Sequence, residues 1–117
     1  MQEQIQTLLE SIKQDYINWT TQDGKKEMSS YSQGQVDNWD SMMEVKEGKK
    51  YIKIIRERGV WGFIVKEDGP KFRKGDILKA ASWAIPALNA PRGNIFGEYI
   101  VKWTGACYMN GQKQLMV

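Results

Sequence analysis

The sequence predicts an α+β fold, in which one N-terminal amphipathic helix packs on a small antiparallel β-sheet of about four strands. Two patterns predict this class. Apolar residues recur at helical spacing over the first 19 residues, and runs rich in β-branched and aromatic residues, separated by short turns, follow from residue 51. The 117-residue length is that of one domain, so we expect residues 1–117 to form a single domain.

The helix is predicted over residues 2–19. Its apolar stripe follows the spacing i, i+3, i+4, i+7, i+11 and i+14 and consists of Ile5, Leu8, Leu9, Ile12, Tyr16 and Trp19. Gly24 lies beyond the last periodic residue and supplies the break. Such a stripe usually docks on a sheet, and helix pairing between two chains is the alternative.

Residues 20–48 are polar and show no clear periodicity, which predicts an irregular loop. The sheet is predicted within residues 49–104, because β-prone runs there are separated by Gly-containing turns. The predicted strands are 51–56, 60–65, 76–82 and 99–104. Residues 105–117 are expected to form a tail.

Composition argues against an enzyme. The chain has no histidine and one cysteine, Cys107, so Cys/His zinc sites and Ser-His-Asp or Cys-His catalysis are excluded. The chain also lacks a P-loop and a G-x-G-x-x-G motif. We therefore expect no catalytic residue, no metal and no cofactor.

The sequence also predicts a cytoplasmic protein. No apolar run approaches the roughly 18 residues that a membrane span requires. The N-terminus lacks the basic and apolar regions of a secretory signal, and a single cysteine suits a reducing compartment.

Charge is distributed unevenly along the chain. Residues 1–45 hold three basic and eight acidic side chains, a net of −5, whereas residues 46–117 hold fourteen and six, a net of +8. Such asymmetry is typical of a polyanion-binding face, although a basic surface that only keeps the protein hydrated gives the same pattern. The candidate nucleic-acid-binding residues are Lys49, Lys50, Lys53, Arg56, Arg73, Lys74 and Lys79.

Residues 80–97 form the most distinctive loop. Pro86 and Pro91 restrict its backbone, which predicts a stiff connection. The candidate ligand-binding residues are Ser82, Trp83, Arg92 and Asn94. An arginine fork grips phosphate or carboxylate and an indole stacks on a base. The alternative is structural: Trp83 lies in the core, Arg92 donates to carbonyl groups of its own loop, and Asn94 initiates a turn.

The segments KKYIKIIRERGVWGFIVKEDG and KAASWAIPALNAPRGNIFGEYIVKWTG resemble a group of small uncharacterised proteins of tailed bacteriophages and marine viruses. The resemblance covers residues 49–106 and implies a phage origin, with no activity attached. Basic residues are frequent in that group after the Trp and after the Pro-Ala, where this chain has Ala84 and Leu88. This departure argues against a phosphate clamp in the loop.

Together these features favour a non-enzymatic binding module that acts as a monomer or homodimer. The first hypothesis is binding of nucleic acid, or another polyanion, on a basic sheet face and the 80–97 loop. The alternative is an interaction with a protein partner, such as a host factor, through the helix or the acidic loop. No membrane association is expected.

Overall fold

A computed structural model describes residues 1–57, 59–88, 90–99 and 101–106. The elements, in chain order, are α1 (Gln2–Thr20), α2 (Ser30–Asp37), α3 (Trp39–Met42), β1 (Met43–Glu47), β2 (Tyr51–Arg56), β3 (Gly59–Val65), β4 (Ile77–Leu78), β5 (Val101–Lys102) and β6 (Gly105–Ala106). Strands β1 to β4 form one antiparallel sheet in sequence order. The predicted α+β class, with an N-terminal helix and four strands, is therefore confirmed.

Helix α1 begins and ends within one residue of its predicted bounds, because its stripe meets the sheet as expected. Ile5, Leu8, Ile12 and Tyr16 are buried among the sheet residues Ile52, Ile54, Ile64 and Ile77. The stripe ends sooner than predicted, since Trp19 is 61% exposed. Within the described part of the chain, no helix combines the length and the apolar character needed to cross a bilayer.

The prediction of an irregular loop over residues 20–48 is wrong. This region contains α2, α3 and β1. Helix α2 is capped by the Ser29 hydroxyl, which accepts a hydrogen bond from the Ser32 backbone N–H at 3.2 Å. Only Ser32 of α2 is buried and β1 is largely exposed, so neither element has the apolar period that reveals a helix or strand in a sequence.

Two predicted strands also differ from the structure. Of residues 76–82, only Ile77–Leu78 form a strand. Within residues 99–104, Val101–Lys102 pairs with Gly105–Ala106 in a separate two-stranded sheet, so the fourth position in the main sheet belongs to β1. Ile100 and residues 107–117, most of the predicted tail, lie outside the described residues.

Two hydrogen bonds explain why residues 101–106 leave the main sheet. The Trp61 indole N–H donates to the Lys102 carbonyl at 2.8 Å, and the Trp103 backbone N–H donates to the Asp15 carboxylate at 2.9 Å. Tertiary contacts with β3 and α1 thus fix this segment beside the helix, and local strand propensity does not decide its partner.

The sheet has two unlike faces. A bulge separates the pairs Ile54–Gly62 and Ile55–Val60, which leaves Trp61 unpaired and turns its ring toward α1. We call the face that packs on α1 the inner face. The opposite, outer face carries a second buried cluster of Phe63, Val65, Phe72 and Leu78. Strand alternation places Tyr51 and Lys53 on this outer face as well.

Candidate nucleic-acid interface

Lysines line one end of the outer face. Lys53 lies in β2 directly opposite Lys46 of β1, and the turn between the two strands carries Lys49 and Lys50. Like charges opposite each other in a sheet repel, so a nearby anion stabilises this arrangement. Among the described residues the one ion pair joins Lys66 to Glu47 at 2.9 Å, and it involves none of these four lysines.

The 80–97 loop presents Trp83 to the same region. The Ala81 and Ser82 backbone N–H groups both donate to the Ile85 carbonyl, at 2.9 and 3.0 Å, and close a tight turn. Trp83 lies within this turn and is 52% exposed, so its predicted alternative placement in the core is not observed. Ser82, beside it, is also exposed.

Strand β2 and the loop meet at these two residues. The Lys53 ammonium lies 4.6 Å from the centre of the Trp83 ring, within the range of a cation–π contact. The sequence predicts Lys53 as a residue of the basic face and Trp83 as a ligand-binding residue of the loop, thirty positions apart. The structure joins them in one surface.

Two cavities lie along the β1–β2 turn, and Lys53 lines the first of them. One, of about 360 Å³, is lined by Lys46, Lys49, Lys50, Lys53, Phe63 and Ala84, among others. The other, of about 390 Å³, is lined by Lys49, Lys50, Tyr51, Lys71, Phe72 and Leu88, among others. Lys49, Lys50 and Tyr51 line both cavities, so the two meet at the β1–β2 turn. Glu47 also lines the first cavity, and Glu67 and Asp68 line the second, so lysines are in excess in a lining that carries both charges.

Arg92 has a different environment. It is 3% exposed, and its guanidinium donates to the Ala90 carbonyl of its own loop. Its backbone N–H donates to the Ile77 carbonyl at 2.7 Å, which ties the loop to β4. Of the two alternatives for Arg92, these contacts favour the structural anchor over the phosphate clamp.

Asn94 also supports the loop. Its side-chain amide donates to the Lys74 carbonyl at 2.9 Å and to the Asp76 carboxylate at 3.0 Å. Its side-chain oxygen accepts from the Phe96 backbone N–H at 2.8 Å, which forms the expected turn. All its polar atoms therefore have intramolecular partners, as an anchor requires.

Arg56 lies on the inner side of the sheet, away from the lysines. Its guanidinium carbon is 4.7 Å from the ring centre of Trp39, 5.3 Å from that of Trp103 and 5.8 Å from that of Tyr16. We call these three rings the aromatic box. One guanidinium nitrogen also donates to the Gln35 side-chain oxygen at 3.4 Å. The box holds Arg56 within the fold.

The remaining candidates are exposed but lie elsewhere. Arg73 and Lys74 follow Phe72 in a turn, where their backbone N–H groups donate to Asp76 at 2.8 Å and Asp68 at 2.9 Å. Lys79 follows β4, and its carbonyl accepts from Ala87 at the base of the loop. Arg73, Lys74 and Lys79 line neither cavity.

Lys46 and Lys71 are the lysines that the predicted interface leaves out. Lys46 belongs to β1, whose apolar alternation consists of Met43 and Val45 alone, too short a pattern to show which way the Lys46 side chain points. Lys71 donates to the Leu88 carbonyl and lies 5.5 Å from the centre of the Phe72 ring. Across the described residues, no cluster of three or more acidic or cysteine side chains is arranged to hold a metal ion.

The fold and the outer face together define a small α+β protein with a basic, aromatic sheet surface. Residues 1–109 match the model of DUF7717, a family of unknown function, and the chain belongs to this family. No curated protein and no solved structure matches the chain. A proposed function for this chain therefore rests on the geometry of the outer face.

Proposed function

We propose that this protein binds single-stranded nucleic acid on the outer face of its sheet, with Lys53 and Trp83 at the centre of the site. The observation that carries the proposal is the contact between them. The Lys53 ammonium lies 4.6 Å from the centre of an indole ring that is 52% exposed. This contact unites a phosphate-binding charge with a stacking surface, the two groups that a single-strand site requires.

The energies favour an incoming base over the contact seen in the free protein. An exposed cation–π contact contributes about 0.5–1 kcal/mol, whereas stacking of a base on an aromatic side chain contributes about 1–3 kcal/mol. When a strand binds, we expect Lys53 to move to a phosphate and the indole to accept a base. A duplex does not offer this exchange, because its bases are already stacked.

The surrounding lysines supply affinity without sequence preference. Lys46, Lys49, Lys50 and Lys53 all line the cavity next to Trp83. If Lys49, Lys50 and Lys53 each neutralise one phosphate, the logarithm of the binding constant falls by about 2 per tenfold increase in salt. The number of phosphate contacts sets this slope, and base stacking is tolerant of sequence. Single strands of different base composition should therefore give the same slope.

The stacking part of the proposal is tested with a matched pair of tryptophan variants. Fluorescence anisotropy of a labelled single strand of about 15 nucleotides measures the dissociation constant. We expect Trp83→Ala to weaken binding about tenfold or more. Trp19→Ala, which removes another exposed indole from α1, is expected to leave binding unchanged. Equal effects of the two substitutions would contradict the proposal.

The charge part is tested by salt dependence. Lys53→Met is expected to reduce the salt slope by about 0.7, the contribution of one phosphate contact to a single strand. Lys26→Met, in the exposed turn after α1, is the control and should leave the slope unchanged. If heparin binds as tightly as the single strand and Trp83→Ala has no effect on either, the surface only attracts polyanions in general and does not recognise a single strand.

The alternative function, an interaction with a protein partner through α1, has less support. The apolar stripe of α1 is already buried in the core of its own chain. The acidic segment is folded into α2, α3 and β1. The phage origin implied by the resemblance stays a prediction, and the proposed function does not depend on it.

A further inference from the structure

Strand β1 forms one edge of the main sheet. The strand order leaves β1 paired only with β2 in the described part of the chain. Four of its five residues are exposed, so no described segment covers the edge. An exposed edge of this length presents a row of backbone donors and acceptors to another strand.

The backbone groups that face outward can be identified. The Gly48 N–H donates to the Tyr51 carbonyl at 2.8 Å, and the Glu57 N–H donates to the Met42 carbonyl at 2.7 Å. Both Gly48 and Met42 are even-numbered residues that bond toward β2. Because antiparallel bonding alternates along a strand, the N–H and C=O groups of Met43, Val45 and Glu47 point away from β2.

The sequence of β1, MEVKE, is complementary to itself when read in the opposite direction. In an antiparallel pair centred on Val45, Val45 lies opposite Val45 of a second copy and Met43 lies opposite Glu47. The outward-facing residues then exchange their backbone hydrogen bonds across the new pair. Glu44 lies opposite Lys46 on both sides of the centre, which places opposite charges together.

Neighbouring registers lack this complementarity. A pair centred on Glu44 places Glu44 opposite itself, and a pair centred on Lys46 places Lys46 opposite itself. Both arrangements set like charges together and shorten the ladder. The pair centred on Val45 is therefore the register that charge and backbone bonding jointly favour.

The position of Lys46 within the monomer is a second reason to expect that two β1 strands pair. On its β2 side, Lys46 lies opposite Lys53, a like charge. In the self-paired edge, Glu44 of the second copy approaches Lys46 from the other side. This carboxylate is close, because residues in a pair without backbone hydrogen bonds have Cα atoms about 4.5 Å apart. The second copy thus provides the anion that the monomer lacks at this place.

We infer that β1 is the interface of a homodimer, in which two copies pair their β1 strands antiparallel about Val45 and form one continuous eight-stranded sheet. At the usual strand spacing of about 4.8 Å, this sheet is about 34 Å wide. The two outer faces then lie side by side. The dimer is inferred from β1 alone and does not depend on the proposed function.

A charge exchange between two variants tests the interface and its register. Glu44→Lys places lysines at both positions 44 and 46, and Lys46→Glu places glutamates at both of these positions. Sedimentation velocity should show wild-type protein as a dimer at high concentration and each variant alone dissociating at least about tenfold more readily. Mixing the two variants restores opposite charges at both positions, so a mixed dimer should form.

Controls separate this effect from a general change of charge. Glu10→Lys on α1 and Lys26→Glu in the following turn make the same charge changes on exposed residues away from β1. Neither should alter dimerisation. Val45→Pro removes an outward-facing N–H while leaving the β1–β2 bonds intact, so it should give a folded monomer.

Two results would overturn the inference. One is a wild-type protein that remains monomeric at the concentrations of an NMR sample. The other is a dimer whose stability is the same in both charge variants and in Val45→Pro, which would place the contact elsewhere. Circular dichroism of each variant verifies that loss of the dimer is not loss of the fold.

Discussion

Strand β2 carries two cations that both contact tryptophan, on opposite faces of the sheet. Arg56 lies 4.7 Å from the ring centre of Trp39, which is 1% exposed, and Lys53 lies 4.6 Å from that of Trp83, which is 52% exposed. The contacts are alike in distance and differ in burial. A cation over a buried ring stabilises the fold, whereas a cation over an exposed ring remains available to a ligand.

The largest expected difference in the free energy of unfolding is between substitutions of the two tryptophans, Trp39 and Trp83. Trp39→Ala should lower the free energy of unfolding by about 3–5 kcal/mol, because it removes one ring of the aromatic box and leaves a cavity in the core. Trp83→Ala should change it by less than about 1 kcal/mol, since about half of the residue is already exposed to water. Urea denaturation measures both. A similar loss in the two variants would mean that Trp83 is a structural residue.

Arg92 is expected to stabilise the fold, as the buried contact of Arg56 with Trp39 does. Arg92→Ala should lower the free energy of unfolding by about 2–3 kcal/mol, because charged hydrogen bonds to the loop are lost in a buried site. Lys79→Ala, at the exposed start of the same loop, should cost less than about 0.5 kcal/mol. If Arg92→Ala instead abolished binding and preserved stability, Arg92 would be a ligand clamp.

The two cations themselves give a smaller contrast. Arg56→Met should lower the free energy of unfolding by about 1–2 kcal/mol, the contribution of a partly desolvated cation–π contact. Lys53→Met should change it by less than about 0.5 kcal/mol. Thermal and chemical denaturation of the two variants tests the difference. Equal losses would show that both cations act mainly within the fold.

The smallest expected effect concerns the turn after β2. Glu57 has a φ of 57°, a left-handed conformation that glycine adopts without strain. Glu57→Gly should therefore raise the free energy of unfolding by about 0.5–1 kcal/mol, without touching either cation. Glu57→Ala is the control and should give no such gain. A loss of stability in Glu57→Gly would show that the Glu57 side chain matters more than its backbone.

The parts of the fold that follow a simple period could be predicted from the sequence. Helix α1 has an apolar stripe every three or four residues, and β2 and β3 are rich in β-branched residues, so their bounds are nearly correct. The sequence does not predict strand β1, because four of its five residues are exposed and only Met43 and Val45 follow an apolar alternation. The place of β5 depends on Trp61 and Asp15, which are distant in sequence.

The candidate site shows the same limit. Arg56, Arg92 and Lys53 are equal as basic residues in a sequence, and only tertiary packing separates them. Trp39 and the bulge at Trp61 help to place Arg56 in the aromatic box. Arg92 is held in its loop by a backbone hydrogen bond to β4. The sequence predicts both Lys53 and Trp83 as site residues, but their contact joins a strand to a loop thirty positions away, and only the tertiary structure brings them together.

In the proposed function, single-stranded nucleic acid binds to the outer face of the sheet and not to the side that carries α1. Amide chemical shifts recorded while a single-stranded oligonucleotide is titrated into the labelled protein test it most directly. We expect the largest changes on residues 46–53 and 81–85 and on the Trp83 indole N–H, with little change on α1. Changes concentrated on α1 and α2, or no changes at low salt, would contradict it.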